Sequence, residues 1–269
     1  MKSAPFRCAF CGKQGKKSKE DVFPIWSRDF LPIYRTKSRN RFTDTVRKRD
    51  AGTTKIPSPC TTCNNGWMST LQNRAKPVIS PLILNQYYST ITIKEAEVVR
   101  LWSIMTYMTF DTDKDSNRVF SDSELKDFAE SQSSPSGINV YIALRRAPPM
   151  RGISHLPISV ASEDKHFREV FGGLFLLLLG NFTVIILHDK LSRTKHSEAE
   201  LILPSGFLNI SSTEKWNGPK SFWNYTGDPR EIIDTHYNEI QSVISTTVSG
   251  FGQLFIRNKL PPLRPLSAT

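Results

Sequence analysis

Two patterns of apolar residues divide the chain. From Asn64 to Ala75 the apolar positions Trp67, Met68, Leu71 and Ala75 recur at helical spacing, and the prolines at 77 and 81 are expected to stop that helix. Thr92-x-x-Glu95 is a capping box that opens a longer helix from about Ile93 to Phe110, with Val98, Leu101, Trp102, Met105 and Met108 on its buried side. A second box, Ser121-x-x-Glu124, opens a shorter helix to about Ser131, and Ser133 to Gly137 is a turn-rich break. Beyond Gly137 the period changes to that of strands. Ile138 to Leu144 alternates apolar and polar residues, and Leu174 to Leu179 and Phe182 to Leu187 are β-rich runs joined by the turn pair Gly180-Asn181.

From Phe171 to Leu187 the apolar stretch has 17 residues, short for a membrane helix and with turn chemistry in its middle, so a buried hairpin is expected. Ala199 to Pro204 reads as a further strand, and Pro229 to Gln241, introduced by Asp228, as a further helix. Asp111-x-Asp113-x-Asp115 imitates the opening of a calcium loop. Its sixth position is Ser116 where glycine is needed and its twelfth is Asp122 where glutamate is needed, so it reads as an exposed acidic connector. These elements make the fold class α+β, with an antiparallel sheet in the C-terminal part.

Composition supports a folded chain in two parts: 269 residues at 38 % hydrophobic and 10 % aromatic suffice for a first domain at 1–80 and a second at 81–269. The charge is divided the same way. Residues 1–80 hold 17 Lys and Arg against 5 Asp and Glu, whereas 81–269 hold 19 against 20, so the whole excess of the +11 chain lies in the first part. It is densest where Arg35, Lys37, Arg39, Arg41, Arg47, Lys48 and Arg49 face only Asp44. Such a run is either a solvated loop or a contact for the phosphate backbone of DNA. No amphipathic apolar face accompanies it, which argues against a membrane surface.

All four cysteines fall in the same part, as Cys8-x-x-Cys11 and Cys60-x-x-Cys63. Two such pairs are the spacing of a closed, structural zinc site. Two disulfides would need an oxidising compartment, and the first residues carry no apolar segment that directs secretion, so a cytoplasmic chain is expected. A redox pair would need a thioredoxin-like βαβ context, which surrounds neither motif.

Polar motifs follow each pair: Glu20-Asp21-Val22-Phe23-Pro24 after the first, and Asn64-Asn65-Gly66-Trp67-Met68 directly after the second. In this order the residues resemble the zinc-stapled branch of the HNH endonucleases, over roughly residues 8 to 77. The resemblance implies a ββα-metal module, followed here by an α+β domain that offers a surface for a partner protein or a second copy. It implies DNA as the substrate, Mg²⁺ or a similar cation as the catalytic cofactor beside the structural zinc, and a bacterial setting of nucleic-acid degradation in defence against phage. Glu20 matches the acidic cation ligand, Asn64 the ligand at the helix start, and Asp21 the position of the catalytic histidine.

Asp21 is a departure at the position that matters most. Histidine, with an ordinary pKa of about 6.5, accepts a proton near neutrality, and aspartate, near 3.9, is a far weaker base. No histidine in 1–80 replaces it, since the five are His155, His166, His188, His196 and His236. Asp21 is therefore open to three readings: a loss that leaves a DNA-binding module, an added cation ligand, or an introduced substitution.

Overall fold

The computed structural model describes residues 5–29, 35–39, 46–50, 55–56, 58–84, 90–113, 118–145, 150–161, 168–190, 207–211, 220–221 and 224–225. The strand expected at Ala199 to Pro204 and the helix expected at Pro229 to Gln241 lie outside the described residues, as does Arg41.

The cysteine-bearing part begins with a tight turn in which the Gly12 N–H donates to the Cys8 carbonyl at 2.9 Å. Gly12 has φ +67°, a left-handed conformation that glycine adopts without steric cost. Strand β1 (Glu20–Asp21) pairs antiparallel with β4 (Lys55–Ile56), Glu20 opposite Ile56. Between them come a 3₁₀ turn (Ile25–Asp29) and an antiparallel hairpin of β2 (Arg35–Arg39) and β3 (Val46–Asp50). The basic run is thus a two-stranded ribbon for most of its length.

After β4 the chain turns into one helical run: α1 (Thr61–Cys63), a π turn (Asn64–Met68) and α2 (Ser69–Ile83). The sequence places the end of this helix at its prolines, but α2 continues through both Pro77 and Pro81. A proline inside a helix costs about 3 kcal/mol. Beyond Pro77, however, Ile79, Leu82 and Ile83 are all buried, each contributing about 1.5–3 kcal/mol of transfer free energy, so packing outweighs the backbone.

The last carbonyl of α2, that of Ile83, accepts from both the backbone N–H and the side-chain amide of Asn181, at 3.1 and 3.3 Å. Asn181 belongs to a hairpin turn in the sheet, so the sheet itself caps the helix. Strand β5 (Thr90–Ile91) leads into α3 (Ile93–Asp111), whose capping box is complete: the Thr92 N–H donates to Glu95 at 2.8 Å and the Glu95 N–H to the Thr92 hydroxyl at 3.3 Å. Burial on α3 extends beyond the expected stripe to Val99, Ser103, Ile104, Thr106 and Tyr107, which makes it the central helix. α4 (Asp122–Ser131) opens with the second expected capping box and ends at Gln132, in the left-handed region.

The sheet contains β6 (Ile138–Arg145), β7 (Met150–Ala161), β8 (Arg168–Gly180), β9 (Phe182–Asp189), β10 (Leu208–Asn209) and β12 (Asn224–Tyr225). Its order is β10-β6-β9-β8-β7, all antiparallel, with β12 parallel to β6; β11 (Lys220–Ser221) pairs with β5 instead. The stretch that resembled a membrane helix is the β8–β9 hairpin, turning at Gly180 and Asn181, with every residue of β9 buried.

Strand β7 is an addition to the sequence reading. Gly152 and Pro157 interrupt its pattern, and Pro157 is accommodated because, among the described residues, β7 ends the strand order. Opposite its register shift, a Cβ on Gly172 would lie 2.1 Å from the His188 carbonyl oxygen, so glycine alone permits that approach.

Asp111 also differs from expectation. The last residue of α3 is completely buried, where an exposed connector was read, and its carboxylate accepts from the Val119 and Phe120 N–H groups at 2.9–3.0 Å. Asp113 is exposed, and Asp115 lies outside the described residues. One apolar core runs from Cys8 through α2, α3 and the sheet to Ile210.

Candidate metal centre and the acidic pair beside it

Backbone hydrogen bonds bring the two cysteine turns together. The Ala9 N–H donates to the Ser58 carbonyl, Ser18 to Pro59 and Thr61 to Lys16, at 2.9–3.1 Å. The four sulfurs then lie within 4.8 Å of one another, with Cys8 Sγ 3.8 Å from Cys63 Sγ and Cys11 Sγ 3.9 Å from Cys60 Sγ. A disulfide would need about 2.05 Å, and all four cysteines are free. Ligands about 2.3 Å from a tetrahedral zinc lie about 3.8 Å apart, so the observed separations fit such an ion. The four cysteines can hold a metal ion such as zinc.

The electrostatics suit a cation as well. Burial pushes the Cys8 thiol up, and pushes that of Cys63 up further with help from Cys8. Burial also acts against ionisation of Cys60, but the Cys63 N–H, which reaches its sulfur at 3.4 Å, and the neighbouring thiols bring it down to about 7. The Cys60 N–H in turn reaches Cys8 Sγ at 3.2 Å. Four thiols this close, three of them buried, cannot ionise together without a positive charge among them.

Around the sulfurs the wall is aromatic. Trp67 meets Phe10 edge-on at 5.5 Å and Phe128 of α4 at 5.8 Å, which joins the cysteine turns to the C-terminal part. Geometries of this kind contribute about 0.5–1.5 kcal/mol each beyond the area they bury.

Glu20 and Asp21 differ in surroundings although they are adjacent. Asp21 is nearly buried and forms an ion pair with Arg28 at 2.8 Å. Glu20 is half-buried and accepts from Gln72 Nε2 at 2.9 Å through Oε1. Burial pushes its carboxyl up to about 7; the Gln72 bond opposes that shift and the Asp21 charge adds to it. Asn64 starts the π turn, its N–H on the Cys60 carbonyl at 2.9 Å and its Nδ2 donating to Ser18 Oγ at 2.7 Å.

Glu20 and Asn64 are thus each fastened by one bond, to Gln72 and to Ser18. Among the described residues neither Glu20 Oε2 nor Asn64 Oδ1 has a hydrogen-bond partner. Carboxylate and amide oxygens are hard donors that suit Mg²⁺, which keeps several of its own waters. The cysteines are nevertheless the one group of three or more His, Cys, Asp and Glu side chains gathered closely enough for an ion among the described residues.

In the basic ribbon the register sets Arg35 opposite Asp50, Lys37 opposite Lys48 and Arg47 opposite Ser38. Sequence reading missed the partners of the acidic pair, Arg28 on Asp21 and Gln72 on Glu20, and the two indoles, Trp26 and Trp102, that donate to Gln72 in turn. A buried indole needs an acceptor, so the two tryptophans carried a signal, but nothing local names Gln72 as the group that answers it.

Comparison of the chain with protein-family models, curated proteins and solved structures finds no match. Among the described residues no helix is long and apolar enough to cross a membrane.

Proposed function

We propose that the chain is a zinc-stapled, HNH-like protein that binds DNA through its N-terminal part and hydrolyses phosphodiesters at a divalent-cation site on Glu20 and Asn64. One arrangement carries the reading: an antiparallel strand pair that starts at Glu20 and a helical run in which Asn64 follows Cys63, both fastened to the cysteine centre. That order of strand, strand and helix is the one a ββα-metal site requires. Zinc at Cys8, Cys11, Cys60 and Cys63 holds it together, in a reducing, cytoplasmic setting where the thiols stay free. The ribbon of Arg35, Lys37, Arg39, Arg47, Lys48 and Arg49 leaves the chain between β1 and β4 and supplies phosphate contacts. Degradation of foreign DNA, as in defence against phage, is the role this chemistry serves.

A bound divalent cation supplies an activated water and offsets charge on the phosphate. Glu20 and Asn64 offer oxygens to it, and Asp21, paired with Arg28, orders the end of β1. That ion pair favours a second reading, in which the chain binds DNA without cutting it, because the Asp21 carboxylate is already engaged by the Arg28 guanidinium at 2.8 Å.

Plasmid cleavage with Mg²⁺ or Mn²⁺, measured for this chain and for Asp21→His, separates the two. Restoring a histidine base should raise cation-dependent cleavage at least about tenfold, the conservative end of general-base contributions. An inert Asp21→His with its fold and DNA binding intact leaves the binding protein as the answer.

A further inference from the structure

Gln72 lies on α2, where its side-chain amide meets groups from three other elements. Its Oε1 accepts from the Trp26 indole N–H at 3.3 Å and from the Trp102 indole N–H at 3.4 Å, while its Nε2 donates to Glu20 Oε1 at 2.9 Å. An indole nitrogen only donates, a carboxylate only accepts, and an amide has one end of each kind. Turning the amide over would set N–H against N–H at both tryptophans and its own oxygen against the carboxylate. Only one orientation satisfies all four groups, and the hydrogen-bond network assigns it. Trp102 is fully buried on α3, and Trp26 sits in the 3₁₀ turn just beyond the acidic pair, so the clamp is anchored in the core.

We propose that Gln72 is a positioning residue for Glu20: locked by Trp26 and Trp102, it holds Oε1 and thereby presents Oε2 to a divalent cation. The proposal rests on the reading of Glu20 as a cation ligand. A carboxylate held at one oxygen has lost the rotation that would carry the other away from a fixed ligand set, and partners of this kind are typically worth about 10- to 100-fold in metal affinity. It also gives the C-terminal part a task. Trp102 belongs to α3, so the aim of an N-terminal carboxylate depends on a helix outside residues 1–80.

The test uses the full, zinc-loaded chain and reads Mn²⁺ affinity by electron paramagnetic resonance, together with the indole N–H resonances during Mg²⁺ titration. Glu20→Gln should abolish binding. Gln72→Met, similar in length and volume but without the amide, should weaken Mn²⁺ binding about tenfold or more while zinc content is kept and unfolding stays cooperative, although the melting transition falls as the two indoles lose their acceptor. In the unmodified chain the Trp26 and Trp102 resonances should move with Mg²⁺ at the midpoint of binding; in Gln72→Met they should no longer respond. Trp102→Phe, which removes one donor and keeps an apolar ring, should also weaken binding and serves if Gln72→Met folds poorly. Unchanged affinity in Gln72→Met or Trp102→Phe, with Glu20→Gln still defective, overturns the positioning role and leaves Glu20 as a ligand. A chain that binds no Mn²⁺, or binds it equally as Glu20→Gln, overturns both.

Discussion

Replacing Asp111 by asparagine should reverse part of the pH dependence of stability. The carboxylate is sealed from water at the end of α3, accepts from the Val119 and Phe120 N–H groups, and lies 3.6 Å from His155 Nε2. Burial pushes its carboxyl up to about 6, against the two backbone N–H groups and the more distant charges of Arg118 and Lys190, which favour ionisation. An ordinary aspartate titrates near 3.9, so the shift is about two units, or about 3 kcal/mol. The folded state therefore holds this proton more tightly than the unfolded chain between about pH 4 and pH 6, and stability falls as pH rises through that window. Below it the group is neutral in both states and costs nothing; above it the cost is complete.

Asp111→Asn keeps the shape and one oxygen for the two N–H groups but does not titrate. Urea unfolding of both proteins at pH 4 and pH 7 should show the variant gaining about 3 kcal/mol relative to the parent over that range. A difference independent of pH would refute the titration. A difference of opposite sign would refute the dominance of burial and show that the two N–H groups and the charges of Arg118 and Lys190 outweigh it.

Two further outcomes test the proposed function from the ligand side. One zinc per chain should survive desalting in elemental analysis, and Cys60→Ser should abolish it and unfold the N-terminal part, because structural zinc contributes about 10 to 16 kcal/mol in small domains; an intact fold without zinc would sink the staple. Neutralising Arg47, Lys48 and Arg49 together should weaken DNA binding and flatten its logarithmic salt dependence by at most about three units, while an unchanged slope would make the ribbon a solvated feature only.

Local chemistry explains what was legible in the chain. The boxes at Thr92 and Ser121 each close within four residues, and a CxxC pair occupies one turn, so their meaning travels with the sequence wherever it folds. The prolines of α2 were misleading for the complementary reason: their cost is local, but the burial of Ile79, Leu82 and Ile83 that offsets it comes from α3 and the sheet. Pro157 hid β7 in the same way, since its tolerance depends on the strand having one neighbour among the described residues, a property of the sheet order. Asp111 read as solvated because acidic residues usually are; its N–H partners, Val119 and Phe120, lie eight and nine residues on and meet it only in the folded chain.

The acidic pair shows how far residue identity can fall short of chemistry. Glu20 and Asp21 are neighbours with the same functional group, yet one faces an amide that leaves an oxygen unclaimed and the other faces a guanidinium that neutralises it. The proposed HNH-like reading would set Asp21 at the place of a proton-accepting histidine. The environment argues otherwise, through Arg28, seven residues away on the 3₁₀ turn. Gln72 and Trp102 add the same lesson from 52 and 30 residues' separation along their hydrogen bonds. The aim and charge of this site are thus set by contacts that close only when the cysteine turns, α2 and α3 have packed together. Its chemistry should therefore be judged in the intact chain, where α3 still holds Gln72 in place.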